Sequence, residues 1–556
     1  MLRISAPAFA ATTLIAVFTT ALAGCTGNGG SNATPSPGGN APATATGQAG
    51  GILRYPIETE PTTLDPALVQ DGPTIDLLQN MYEGLVGWNE KNEVVPLVAK
   101  AIPTPTNGGR TYTFTIRDGV KFLNGDPITA EDVRYSLTRS LDPKLASPVA
   151  INYLDDIVGA KELADGKASD LPGVKVIDPK TVQITLVAPR GYFLGKLTYP
   201  TGYILNKKIV EQGPLTDGKV HSIDAGNAGI VGTGPFQLTS YVRGSKVVLT
   251  ANANYWAGKP KLDGIERPII LDPQTQRNLY DAGELAYINL QKGDFQKDHE
   301  NPALQDQIKS WKRAATWYLG INQTQYKPFR DVRIRQAIAY AIDKDAIVKQ
   351  VLLGVPEKAT GILPDGMPGY TASVQGYPYD PEKAKKLLAE AGYPNGAGLP
   401  PLQLSFRQKQ SDITHTAEVI QQQLQAVGIP VQLNAMEWGA FLNLNNHNKT
   451  DMFHMRWSAD YLDPQDFLSL LLTTTGTENH TGYSNPQVDT LCKQADAESD
   501  TAKRLALYQK AQDLIMKDAP WVPIYYQVDL ELMQTNVKGI RDSLMGHLPH
   551  TTTTVK

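Results

Sequence analysis

Cysteine is nearly absent from this chain: 556 residues contain only Cys25 and Cys492. Two thiols cannot build a disulfide framework, even in a compartment that permits one. An excess of charge is missing too, because 52 lysines and arginines against 56 aspartates and glutamates leave a formal net charge of −4. That balance excludes a basic field for nucleic acid. Long apolar runs are likewise lacking. The charge-free stretch APAFAATTLIAVFTTALAG behind Arg3 has an apolar centre of only residues 14–18, too short and too rich in threonine to span a membrane. Neither a Gly-x-Ser-x-Gly elbow nor a His-Glu-x-x-His helix is present. His547 and His550, in HLPH, have no carboxylate or cysteine beside them in the chain, which speaks against a metal site. The Gly-Thr-Gly-Pro run at 232–235 lacks the lysine and the following helix of a phosphate cradle. No catalytic residue, metal or cofactor is therefore assigned.

What is present describes a multi-domain body behind an export signal. A prior of one domain per one to two hundred residues gives about three or four domains. With 41% hydrophobic and 19% charged residues, the composition is that of a soluble globular protein. Residues 1–24 read as a secretory signal ending in Leu22-Ala23-Gly24-Cys25, which resembles a bacterial lipobox and implies cleavage before a lipidated Cys25. The alternative is an uncleaved anchor with a chance cysteine. The rest of 25–50 carries no charge and no large apolar side chain, so it reads as a flexible tether, with two acyl chains holding the body to the membrane. Cys492 reads as a small core residue.

Local patterns then set expectations for the body. Ile75, Leu78, Met81, Tyr82 and Leu85 recur at helical spacing. RTYTFTIRDGVKF alternates and predicts a hairpin turning at Asp118-Gly119, and Thr129 with Asp132 predicts a capping box. TVQITLV predicts a strand burying Val182, Ile184 and Leu186. Asp380, Pro381 and Gly392 punctuate a helix, and 415–433 reads as helix, Gly428 stop and strand. Alternating helices and short strands after residue 315 argue for an α/β lobe.

The runs EPTTLDPAL, MYEGLV, YTFTIRDGVKFLNGDPITAEDVRYSL, VGTGPFQL, NYWAGKPKLDGI, GINQTQYKPFRDVRIRQAIAYAIDKDAIV, YDPEKAKKLLAEAGYPNG and DAPWVPIYY occur in this order over about residues 51–540. Together they resemble the peptide/nickel solute-binding proteins of ABC importers; 143–175 shows little of the pattern. The resemblance implies an α/β fold of the two-lobed periplasmic-binding-protein type, of the large peptide-binding class, with an extra β-rich subdomain in the first lobe. Residues 51–90, 230–315 and 528–556 would form lobe I, 91–229 its insert and 316–527 lobe II. It further implies an extracytoplasmic monomer that takes a peptide in the cleft, closes by hinge bending and delivers to permease subunits with their ATPases.

The same resemblance implies the site. A tryptophan followed three positions later by aspartate holds a ligand's α-ammonium, and Trp457 and Asp460 fall on that pattern. A turn cap is the plain alternative for Asp460. Asp463 is read as a turn or helix cap and Asp466 as facing solvent. Trp438 matches a pocket-lining tryptophan, or else belongs to the core. Arg407 matches a carboxylate clamp, or else is an exposed loop residue. Gln70, Asp71, Gly72 and Pro73 match an edge segment that pairs with ligand backbone. Asp460 and Asp463 do not suit a retaining glycosidase, whose carboxyls stand about 5 Å apart across a sugar. Two readings stay open: peptide import, or the same fold holding an oligosaccharide, nickel complex or siderophore, or sensing at the surface.

Overall fold

The computed structural model describes residues 50–216, 220–224, 226–374 and 376–556. The export signal, Cys25 and the tether lie outside the described residues, except for Gly50 at the tether's end. Within them, no helix is long and apolar enough to cross a membrane.

Two sheets organise the body. The first contains β1 (Ile52–Arg54), β2 (Phe236–Val242), β3 (Lys246–Ala251) and β4 (Gly264–Pro268) in the order β1-β4-β3-β2, parallel only between β1 and β4. The second contains β5 (Tyr287–Asn289), β6 (Ile308–Ile321), β7 (Leu402–Arg407), β8 (Val431–Met436), β9 (Met452–Ser458) and β10 (Trp521–Met533), ordered β5-β10-β6-β9-β7-β8. β6 and β10 are long, so at about 3.3 Å per residue each reaches roughly 45 Å and serves both lobes. Trp311 and Met533, at one end of this pair, pack on the first sheet's core, whereas Trp317 and Ile524 belong to a core of the second. β5, from the stretch assigned to lobe I, joins the second sheet by pairing with β10.

The insert has its own core around Phe114, Ile128, Leu137 and Ile184, under an antiparallel sheet of Thr111–Thr115, Thr181–Thr185 and Val174–Asp178. Tyr203, Leu205, Val210 and Ala228 pack instead with the first sheet. The expected hairpin at Asp118-Gly119 does not form: Thr111–Thr115 pairs with Thr181–Thr185, a partner 70 residues away. Gly119 still turns the chain at φ 80°. The helix expected over 75–85 runs instead from Gly72 to Leu78, because Asp71 caps it and Pro73 sits in its first turn. The Thr129–Asp132 capping box is present, as is the Asp380 cap of Pro381–Glu390. Cys492 is buried in the core of the second lobe, where burial pushes its thiol up to about 12.

The glycines of VGTGPF now have a physical reason. Gly234 donates its N–H to the Met81 carbonyl at 2.9 Å, and Phe236 donates to Asn80 at 2.9 Å. A Cβ on Gly234 would lie 2.5 Å from the Met81 carbonyl carbon. Close backbone contact accounts for the glycines.

Candidate ligand-binding cleft

A cavity of about 810 Å³ opens between the first sheet with its insert and the second lobe, within the range of about 300–1,000 Å³ usual for ligand sites. Its wall includes Gln70 and Pro73 from the first lobe, Tyr199 from the insert, and Trp457 and Asp460 from the second.

Asp460 follows the end of β9. Ala459 donates its N–H to Ala314 at 2.7 Å, carrying the pairing with β6 one residue past the strand's end, and Asp460 follows it on the cavity wall. Burial raises its carboxyl to about 6, with Glu478 adding to the rise and a hydrogen bond from the Tyr153 hydroxyl opposing it. Tyr153 is itself stacked on Tyr199, with ring centroids 3.7 Å apart. Among the described residues no cation faces Asp460. The arrangement is a carboxylate held against apolar and phenolic surface, short of a positive partner.

The other aspartates of this turn differ from one another. Asp463 caps the short helical turn Pro464–Asp466 by accepting the Gln465 N–H at 2.9 Å. It also receives both terminal nitrogens of buried Arg504, one at 2.7 Å. Asp466, expected to face solvent, is wholly buried. The chain folds back on itself, and Asp466 Oδ2 accepts from Trp457 Nε1 and from the Asp460 N–H, each at 3.1 Å. Trp457 is thereby fixed by its own turn and lines the cavity.

Trp438 opens the helix Trp438–Asn446, capped by Glu437, and is 38% exposed on the cavity wall. Arg407 ends β7 outside the cavity lining, with its guanidinium 5.2 Å from the Trp438 ring centroid. That contact gives it a place beside the cleft and no direct seat on the wall. The segment of Gln70, Asp71, Gly72 and Pro73 is not a strand edge. Asp71 accepts the Thr74 N–H at 2.9 Å and the Thr62 hydroxyl at 2.6 Å, starting the helix Gly72–Leu78. Gln70, Gly72 and Pro73 line the cavity just where this helix begins.

Comparison with known proteins decides the family. The profile of the bacterial extracellular solute-binding proteins, family 5 Middle, matches residues 93–479. This chain belongs to family 5 of the bacterial extracellular solute-binding proteins. The oligopeptide-binding protein OppA of Bacillus subtilis is 32% identical over 539 residues, covering 95% of this chain and 96% of OppA. Heme-binding protein A of Haemophilus influenzae is 30% identical, covering 97% of each chain. The solved structure of a periplasmic oligopeptide-binding protein from Borrelia burgdorferi superposes with a TM-score of 0.76 at 31% identity, covering 91% of this chain and all of that one. The two-lobed α/β fold of family 5 is thus shown.

The opposite wall of the family 5 cleft holds residues that sequence reasoning missed. Arg313 on β6 donates to Asp529 at 2.7 Å and Asp542 at 2.9 Å. His547 sits between Asp542 at 2.8 Å and Glu531 at 2.9 Å, and Glu531 also accepts from Trp311 at 2.7 Å. Burial alone would lower the His547 pKa, but the Glu531 charge and the hydrogen bonds of Asp542 and Glu531 outweigh it and raise the ring to about 10. His550, buried beside Tyr55, is driven down to about 3 by desolvation. The carboxylates missing next to HLPH in the chain arrive from β10 and the C-terminal turn. Among the described residues, no group of three His, Cys, Asp or Glu side chains is set to hold a metal ion. No local pattern marks these residues, since Arg313 and Asp542 are 229 positions apart.

Proposed function

We propose that this protein captures a short peptide in the cleft, seating its α-ammonium on Asp460 beside Trp457, with Trp438 lining a side-chain pocket. Asp460 carries the reading: a largely enclosed carboxylate on the cavity wall without a cation of its own. An ammonium supplies the missing charge, and such a charged hydrogen bond contributes roughly 1.5–3 kcal/mol. The likeness to OppA supports a peptide as the ligand.

The captured peptide is delivered to an ABC permease, whose ATPases drive import. Cys25 carries the lipid that holds the protein to the outer face of the cell membrane, with 26–50 as its tether. The lobes follow 51–90, 230–315 and 528–556 against 316–527, with 91–229 as the insert of the first. The likeness to heme-binding protein A favours a second reading, a non-peptide solute in the same cleft.

Mass spectrometry of small molecules released from purified protein separates the two readings. Calorimetry with the recovered peptide should then show Asp460→Ala weakening binding by at least about 1 kcal/mol. Release of a non-peptide solute alone, or an unchanged affinity in the variant, sinks the socket.

A further inference from the structure

We propose that Asp466 is the positioning residue of the Asp460 socket and is the neutral acid in the empty cleft, so that the pair carries one negative charge, placed on Asp460. This inference rests on the ammonium-binding reading of Asp460.

The geometry of Asp466 is unlike that of an ionised carboxylate. Its side chain has no solvent exposure. Oδ2 accepts two neutral donors, Trp457 Nε1 and the Asp460 N–H, at 3.1 Å each, while Oδ1 is buried with no hydrogen-bond partner. A buried carboxylate oxygen left bare beside a second carboxylate is strongly disfavoured, and protonation removes the charge that makes it so.

The surrounding groups agree. From its own turn, Asp466 faces Asp460, Asp463 and Tyr461, and Asp463 already has Arg504 as its counter-ion. From the insert, Tyr153 faces both Asp460 and Asp466, and Tyr199 faces Asp460. Glu478 acts on Asp460 from the loop that follows. Among the described residues none of these groups brings a positive charge to Asp466. Of the two coupled carboxyls, Asp460 has the Tyr153 hydroxyl and the cavity before it, whereas Asp466 is enclosed on all sides. The shared proton therefore rests on Asp466. Burial and the Asp460 charge both push the Asp466 carboxyl well above the carboxylate range, which supports the assignment. An arriving ammonium then meets a socket of unit charge whose indole and backbone are already in place.

Infrared spectroscopy of ligand-free protein with 13C-labelled aspartate tests the proton without any ligand. At neutral pH the wild-type minus Asp466→Asn difference should contain a protonated-carboxyl band. A difference without that band overturns the proposal, whatever the ligand proves to be. Calorimetry with trialanine tests the positioning. Asp466→Asn keeps the two acceptor contacts and should stay within about threefold of wild type, while Asp466→Ala should bind at least about tenfold more weakly. The acid limb of the wild-type affinity profile should be unmoved in Asp466→Asn. If Asp466→Asn weakens binding as much as Asp460→Asn at an unchanged melting temperature, Asp466 carries charge and the proposal is wrong. If trialanine binds no variant, wild type included, the peptide reading fails and the infrared result alone decides the state of Asp466.

Discussion

Three aspartates within seven positions have three environments, and each environment sets its own consequence. Asp460 has its carboxyl raised to about 6 by burial, so its contribution to the stability of the empty protein is full below the usual carboxylate range and is lost as pH rises through about 6. A bound ammonium reverses the balance by favouring the ionised form. Peptide affinity measured by calorimetry across pH should therefore fall as pH drops through about 6. Asp460→Asn should be weak and flat over the same range. Asp463 is a matter of stability: Asp463→Ala leaves Arg504 buried without its counter-ion and should cost about 3–5 kcal/mol, read as a lower urea midpoint. The sequence distinguished Asp460 and Asp463, because a tryptophan three positions before one and a proline after the other are local signals. It misplaced Asp466, since nothing in ADYLDPQD states that the chain curls back beneath Trp457.

Caps and strands were the elements most legible in the chain. Thr129, Asp380 and Gly428 act where they stand, because a cap or a left-handed turn depends on a few adjacent residues; Gly428 indeed has φ 93°. The hairpin at Asp118-Gly119 was misread for a physical reason. Alternation and turn residues announce that a segment is extended or ends, but its hydrogen-bonding partner is chosen by the rest of the fold. The glycine turn at 232–234 shows the same dependence. Gly234→Ala puts a methyl 2.5 Å from the Met81 carbonyl carbon, and the backbone must shift to accept it. Thermal unfolding should show a loss of at least about 2 kcal/mol, against about 1 kcal/mol for Gly244→Ser, whose Cβ position is open and whose only cost is the left-handed turn.

Across the protein, β6 and β10 pair along their length and also carry Arg313, Asp529 and Glu531 of the cavity wall, so the longest strands and the cavity share residues. Tyr461, next to Asp460, packs into the insert's core against Tyr192, which links the socket to contact between the lobes. His547 on that wall and His550 buried behind it set opposite limits of pH. His547 has its pKa raised to about 10, so its contribution is full below the ordinary histidine range and is lost as pH rises through about 10. His550 is lowered to about 3, so its contribution is present above the ordinary range and is lost as pH falls toward about 3. Urea unfolding across pH should show His547→Gln removing the alkaline slope and His550→Gln the acid one, and an unchanged alkaline slope in His547→Gln would contradict the ion-pair assignment. Family, lobe type and caps were determined by the amino-acid sequence alone, because they rest on residue order and short-range spacing. The burial of Asp466, the helix start at 70–73 and the Arg313–His547 wall were decided by tertiary structure, because each depends on which distant segments exclude water from the same place.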